Sequence, residues 1–130
     1  MRKGMTLVEI LVAAGLVLML GAMMLLGVLD QRRRARDASV VSGARQAQAA
    51  VEAFRAKSAS YPGAALDLPG GEAELAEAFG YEAEPAGCAP DKAETCRSYV
   101  LRFALEGRVG TLVGGDCELR PNGGITCVRP

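Results

Sequence analysis

From Ile10 to Leu29 the chain runs for 20 residues without a charge, and a glutamate, Glu9, stands directly before them. At about 1.5 Å per helical residue the run covers roughly 30 Å, the thickness of a bilayer's hydrocarbon core. A helix that is apolar on every side must be surrounded by lipid or by other apolar helices. A carboxylate at the mouth of such a segment is costly, and ionisable groups at membrane depth usually mark function. An ordinary secretory signal fits poorly. Its apolar region is about 7–15 residues long and closes on a small-residue cleavage site, and no such site precedes Asp30.

The 130 residues suffice for one domain, and the apolar fraction of 50% overstates its core, because the uncharged run supplies much of it. The formal charge is zero. Without Arg2 and Lys3, 13 of the 15 basic residues remain to face 15 acidic ones, a balance of −2. This is not the balance of a strongly basic nucleic-acid binder. There is no histidine to form a nucleophile–base pair. Gly70-Gly71 and Gly114-Gly115 lack the lysine and spacing of a phosphate loop. The expectation is therefore a chain with no catalytic residues, no cofactor and no metal site.

The four cysteines, Cys88, Cys96, Cys117 and Cys127, all lie in the last third. Without histidine a zinc site would need all four thiolates, and no Cys-x-x-Cys pair is present. An even count beyond a membrane segment reads as two disulfides in an oxidising compartment. The basic flanks disagree. Arg32, Arg33, Arg34 and Arg36 outnumber Arg2 and Lys3, and positive flanks tend to remain cytoplasmic. We follow the cysteines, which place the carboxyl-terminal part outside the cytoplasm.

Gly4-Met5-Thr6-Leu7-Val8-Glu9, followed by the apolar run, resembles the class III leader of type IV pilins and pseudopilins. The resemblance implies that a prepilin peptidase cleaves between Gly4 and Met5 and that Met5 is then methylated on its amine. It implies that Glu9 neutralises the terminal amine of a neighbouring subunit during assembly. A buried amine and a buried carboxylate are each costly alone and far less so together. The family's plan also matches further along: a long helix, Tyr61-Pro62 at its end, then a small cysteine-bearing β-region. Two departures stand out. Met replaces the commoner Phe after the cut, and the apolar run has no proline, so local melting would rely on Gly15, Gly21 and Gly27.

The implied partners are copies of the chain and other pilins, the peptidase, the inner-membrane assembly platform, and the bilayer before assembly. The implied location is a single-pass inner-membrane protein with a periplasmic or extracellular head, then a cell-surface or periplasmic filament. The missing proline and short chain point to a minor pilin or a pseudopilin, the latter serving type II secretion or DNA uptake. A monomeric membrane-anchored binding domain is the rival from another class. The arginines at 32–36 read as a stretch that meets anionic lipid heads or neighbouring acids. No aromatic residues interleave with them to stack on bases, so nucleic acid is the lesser reading.

The expected fold is α+β, with boundaries at 1–4 (leader), 5–29 (membrane and assembly half of a helix), 30–60 (amphipathic half) and 61–130 (head). No stop separates the two helical halves, which predicts one helix from Met5 to Ser58, on the order of 80 Å long. Val40, Val41, Ala44, Ala47, Val51 and Phe54 recur at helical spacing on its inner face, and Arg36, Ser39, Arg45, Gln46 and Lys57 lie opposite. Pro62 and Gly63 mark the end. A short helix is expected from Glu72 to Phe79, where Glu72, Glu74 and Glu77 read as a solvated face rather than a calcium site. Tyr81 to Thr95 reads as a loop.

Strand character begins at Ser98, and Glu106-Gly107 predicts a hairpin joining it to Val109–Val113. Pro121-Asn122-Gly123 predicts a second turn before Gly124–Val128. Four cysteines permit three pairings. A hairpin about Asn122 would set Cys117 opposite Cys127 and leave Cys88 for Cys96.

Overall fold

The computed structural model describes residues 6–129, with Leu26 described by its backbone alone. It is an α+β structure: a long apolar amino-terminal helix, whose later part packs on a small four-stranded antiparallel sheet. Contacts divide the chain into one unit that ends at Arg33 and a second that begins at Arg34. The helix α1 (Leu7–Ser58) is unbroken through Gly15, Gly21 and Gly27. The leader, 1–4, and Met5 lie outside the described residues.

In the first unit, large apolar side chains have nothing to pack on. Fifteen of them, from Leu7 to Leu29, are 42–75% exposed. This is the one helix, among the described residues, long and apolar enough to cross a membrane. In the second unit the same helix becomes one-sided. Ala44, Ala47, Ala50 and Val51 are buried at spacings of three and four, as a core-facing stripe requires. Phe54 packs beside them, and Val40 and Val41 are half-buried.

The chain leaves the helix at Ala59, whose φ of 57° is left-handed. A helical turn of 3-10 type (Ala65–Asp67) follows, held by Asp67, whose carboxylate accepts the N–H groups of Gly63 and Ala64 at 2.9 Å each. The second helix is α2 (Gly71–Ala78), within a residue of the expected span. The strands are β1 (Glu82–Glu84), β2 (Ser98–Leu105), β3 (Gly115–Leu119) and β4 (Ile125–Val128), in the spatial order β1-β2-β3-β4. Tyr99 and Leu101 of β2 and Leu119 of β3 are fully buried against Ala44, Ala47 and Val51, with Tyr61, Leu68, Ala73 and Ala76 completing the core.

Two expectations are corrected. Val109–Val113 is not a strand paired with β2. It folds on itself through a single bridge, in which Val109 and Leu112 exchange backbone hydrogen bonds of 3.1 and 3.0 Å. The partner of β2 is β3, with Leu105 opposite Gly115 and Leu101 opposite Leu119. β3 takes the ladder along Leu101–Leu105 that Val109–Val113 would need. The Asp37 carboxylate of α1 accepts the Glu106 and Gly107 amides at 3.0 and 2.8 Å and ties the start of the intervening loop to the helix. The second correction is β1, which lies within the expected loop. Glu and Ala are weak strand formers. The ladder to β2 recruits this segment, with Arg102 2.7 Å from Glu82 and Arg120 3.4 Å from Glu84 at its flanks.

Both disulfides form, Cys88–Cys96 and Cys117–Cys127. The second joins directly opposed residues of β3 and β4, the arrangement favoured by a hairpin about Asn122. Gly115, at φ 143°, lets the Val128 carbonyl approach where a β-carbon would otherwise stand.

Asp37 is 3% exposed, and its removal would leave two inward-facing amides without an acceptor. An unsatisfied buried donor costs about 1–3 kcal/mol. Asp37→Ala is therefore expected to lower the thermal unfolding midpoint of the detergent-solubilised chain by on the order of 10 °C. Circular dichroism checks this, and an unchanged midpoint would mean the loop is not held by Asp37.

Candidate functional site

The residue singled out for assembly, Glu9, falls at the start of α1. Gly4 and Met5 lie outside the described residues. Glu9 occupies the first turn of α1, where the positive end of the helix dipole favours an acid. Its backbone N–H donates to the Thr6 hydroxyl at 3.3 Å and to the Thr6 carbonyl at 3.0 Å. Thr6-x-x-Glu9 is a capping-box signature, and Thr6 is a residue the sequence reading passed over. The cap uses the backbone of Glu9, so its side-chain carboxylate remains available and exposed.

The second unit places its polar chemistry where α1 meets the head. Arg45, read above as a solvent-face residue, reaches across to the head instead. Its guanidinium donates to the Gly123 carbonyl at 2.7 Å, and Gln48 donates to the Arg120 carbonyl at 3.4 Å. The pair clamps the β3–β4 turn onto the helix. One turn further, Glu52 accepts hydrogen bonds from two phenols, Tyr61 and Tyr99, each at 3.2 Å. Arg55 donates to the Tyr61 oxygen at 2.8 Å and lies over its ring at 4.7 Å from the centroid. The Tyr99 ring meets Tyr61 edge-on at 4.9 Å and stacks with Tyr81 at 5.8 Å. Tyr81 in turn donates to the Pro62 carbonyl at 2.6 Å.

Asp37, Gln48, Glu52 and Arg55 were all missed by sequence reasoning. Arg45, Gln48, Glu52 and Arg55 recur at spacings of three and four directly beside the buried Ala44, Ala47 and Val51. That flanking stripe was the available signal. Burial pushes all three phenols above their ordinary value of 10.0. The Glu52 charge adds to the rise at Tyr61 and Tyr99, and Asp67 adds to it at Tyr81.

The arginines beyond the apolar run are exposed, and Arg36 lies 3.3 Å from Glu106. Glu72, Glu74 and Glu77 are exposed on α2. Among the described residues no three acids, cysteines or histidines converge as metal ligands would. The hydrogen bonds from Arg45, Gln48 and Glu52 hold the small head on the later part of α1.

Comparison of the chain with protein-family models, curated protein sequences and solved structures returns no match.

The phenols make a pH prediction. A folded-state value raised above 10.0 means the folded chain keeps protons that the unfolded chain releases. Their contribution to stability is whole below about pH 10 and is lost as pH rises beyond it. The chain has three tyrosines and no tryptophan, so tyrosinate absorbance reports them directly. Native protein is expected to show delayed ionisation that ends in alkaline unfolding. Glu52→Gln should bring Tyr61 and Tyr99 part of the way back and leave Tyr81 in place. Three phenols titrating near 10 in the native protein would contradict the described interface.

Proposed function

We propose that this chain is a structural subunit of a type IV pilus-like filament, a minor pilin or pseudopilin, made as a membrane-anchored precursor. The observation that carries this reading is the split character of α1. Its first half exposes fifteen large apolar side chains, and its second half is committed to a disulfide-bearing head. Such a helix is compatible with water only when its first half is in lipid or among like helices. Gly4-Met5 and Glu9 then acquire matching roles at its tip. Cleavage after Gly4 exposes a positive amine on Met5, and Glu9 of a neighbour neutralises it inside the filament core. The role is structural rather than enzymatic, and it needs no cofactor.

In this reading the head faces the periplasm or the exterior, where the two disulfides form. Prepilin peptidase, an inner-membrane assembly platform and other pilins are the partners. Type II secretion and DNA uptake are the pseudopilin settings.

Mass analysis of the purified mature chain is the direct test. Loss of Met1–Gly4 and one methyl group on Met5 are expected, and an intact leader on functional protein would contradict the proposal. Glu9→Val removes the carboxylate and keeps the backbone N–H that Thr6 caps. Membrane insertion and cleavage should persist, while recovery of the chain in the sheared filament fraction falls roughly a hundredfold, as expected when one partner of a buried ion pair is deleted. Undiminished recovery would favour a monomeric membrane-anchored binding domain.

A further inference from the structure

At the loop held by Asp37, a cavity of about 380 Å³ is lined by Arg108, Arg129, Glu106 and the glycines 107, 114 and 115. Gly114 lies against the backbone of Gly107, and a β-carbon there would stand 2.8 Å from the Gly107 carbonyl oxygen. The hollow therefore exists because these positions lack side chains. The third charged group, Glu106, is drawn to Arg36 at 3.3 Å. Arg108 and Arg129 have no ion pair or hydrogen bond among the described residues, whereas Arg36, Arg102 and Arg120 are all paired. Two unpaired guanidiniums at the mouth of a preformed hollow suit carboxylates, which they can hold in bidentate fashion.

The same unit offers such carboxylates elsewhere. Glu72 and Glu74, in the first turn of α2, are exposed and have no ion pair among the described residues. The two sites sit at different levels of α1. Asp37 holds the arginine loop, whereas Glu72 borders the same notch as Phe54 and Ser58. From Asp37 to Phe54 the helix rises about 25 Å at 1.5 Å per residue. One copy cannot bring Glu72 to its own arginine pocket, but a second copy displaced along the helix axis can. A contact between two different patches is heterologous, and if the rotation does not close it generates an open helical polymer.

We propose that the Arg108–Arg129 pocket receives Glu72 and Glu74 of a second copy of this chain. The proposal rests on the filament reading and adds the surfaces by which successive heads meet. Complementary charges there would set register and suppress wrong partners.

The test uses the full-length chain in cells. A photo-reactive amino acid replaces Thr111, an exposed residue of the arginine loop, and a tagged second copy without it is co-expressed. Irradiation is expected to join position 111 to residues of α2 in the tagged copy, as mapped by mass spectrometry. Arg108→Glu with Arg129→Glu in the reactive copy should cut this product roughly tenfold through like-charge repulsion. Adding Glu72→Lys with Glu74→Lys to the tagged copy should restore it, which a merely misfolded pocket could not do. Cleaved, filament-borne chain whose crosslinks never reach α2, or whose reversed charges fail to rescue, overturns this contact and leaves the filament reading standing. Uncleaved chain with no crosslink between copies overturns both.

Discussion

The structure depends on a single imbalance: half of α1 has more apolar surface than the chain can cover. Fifteen large apolar side chains between Leu7 and Leu29 lie largely open. Burying each is favourable by about 1.5–3 kcal/mol, so the set represents tens of kcal/mol. A domain of this size is held by roughly 5–15 kcal/mol in all. No rearrangement of the head could compensate for leaving that surface in water. The first unit is stable in lipid or among like helices.

The second half of α1 answers a different demand, because it must be held firmly by a small head. Small side chains, Ala44, Ala47 and Ala50, let the sheet come close. Beside them runs the polar stripe of Arg45, Gln48, Glu52 and Arg55, which reaches the β3–β4 turn and the tyrosine cluster. Asp37 extends the same principle to the loop after β2. Several of these contacts are to backbone groups, so they fix where loops lie without adding large apolar residues. The disulfides tie the Cys88–Cys96 loop and the β3–β4 hairpin, each closing a short loop worth about 2–3 kcal/mol. Together these devices let a head of modest size act as a rigid unit.

Much of the architecture was readable from local pattern. The helix, its inner stripe, α2 and the β3–β4 hairpin follow from periodicity and turn residues close in sequence. Cys117 and Cys127 could be placed opposite each other because one turn separates them. The errors share a cause. Val109–Val113 has the composition of a strand, but β3 takes the ladder along β2, and Asp37, some 70 residues away in sequence, ties the start of the intervening loop to α1. Glu82–Glu84 has poor strand composition and is a strand because β2 offers it a ladder. Arg45 and Glu52 look like solvated helix residues until the head supplies their partners. At the amino-terminal site, Glu9 was legible as an acid out of place beside an apolar run. Thr6 was legible too, as the first residue of a Thr-x-x-Glu capping pattern before an apolar run, and was passed over.

Sequence alone determined that this chain has a membrane-length apolar helix with an acid at its mouth, and that four cysteines would stabilise a small head. Those properties are summed over neighbouring residues, and hydrophobic length and charge do not depend on what lies across the fold. Only the tertiary structure decided which polar side chains of α1 grip the head, which segment pairs with β2, and where two arginines share a hollow. Each of those depends on groups far apart in sequence meeting at hydrogen-bond distance, and short-range pattern carries no record of that meeting.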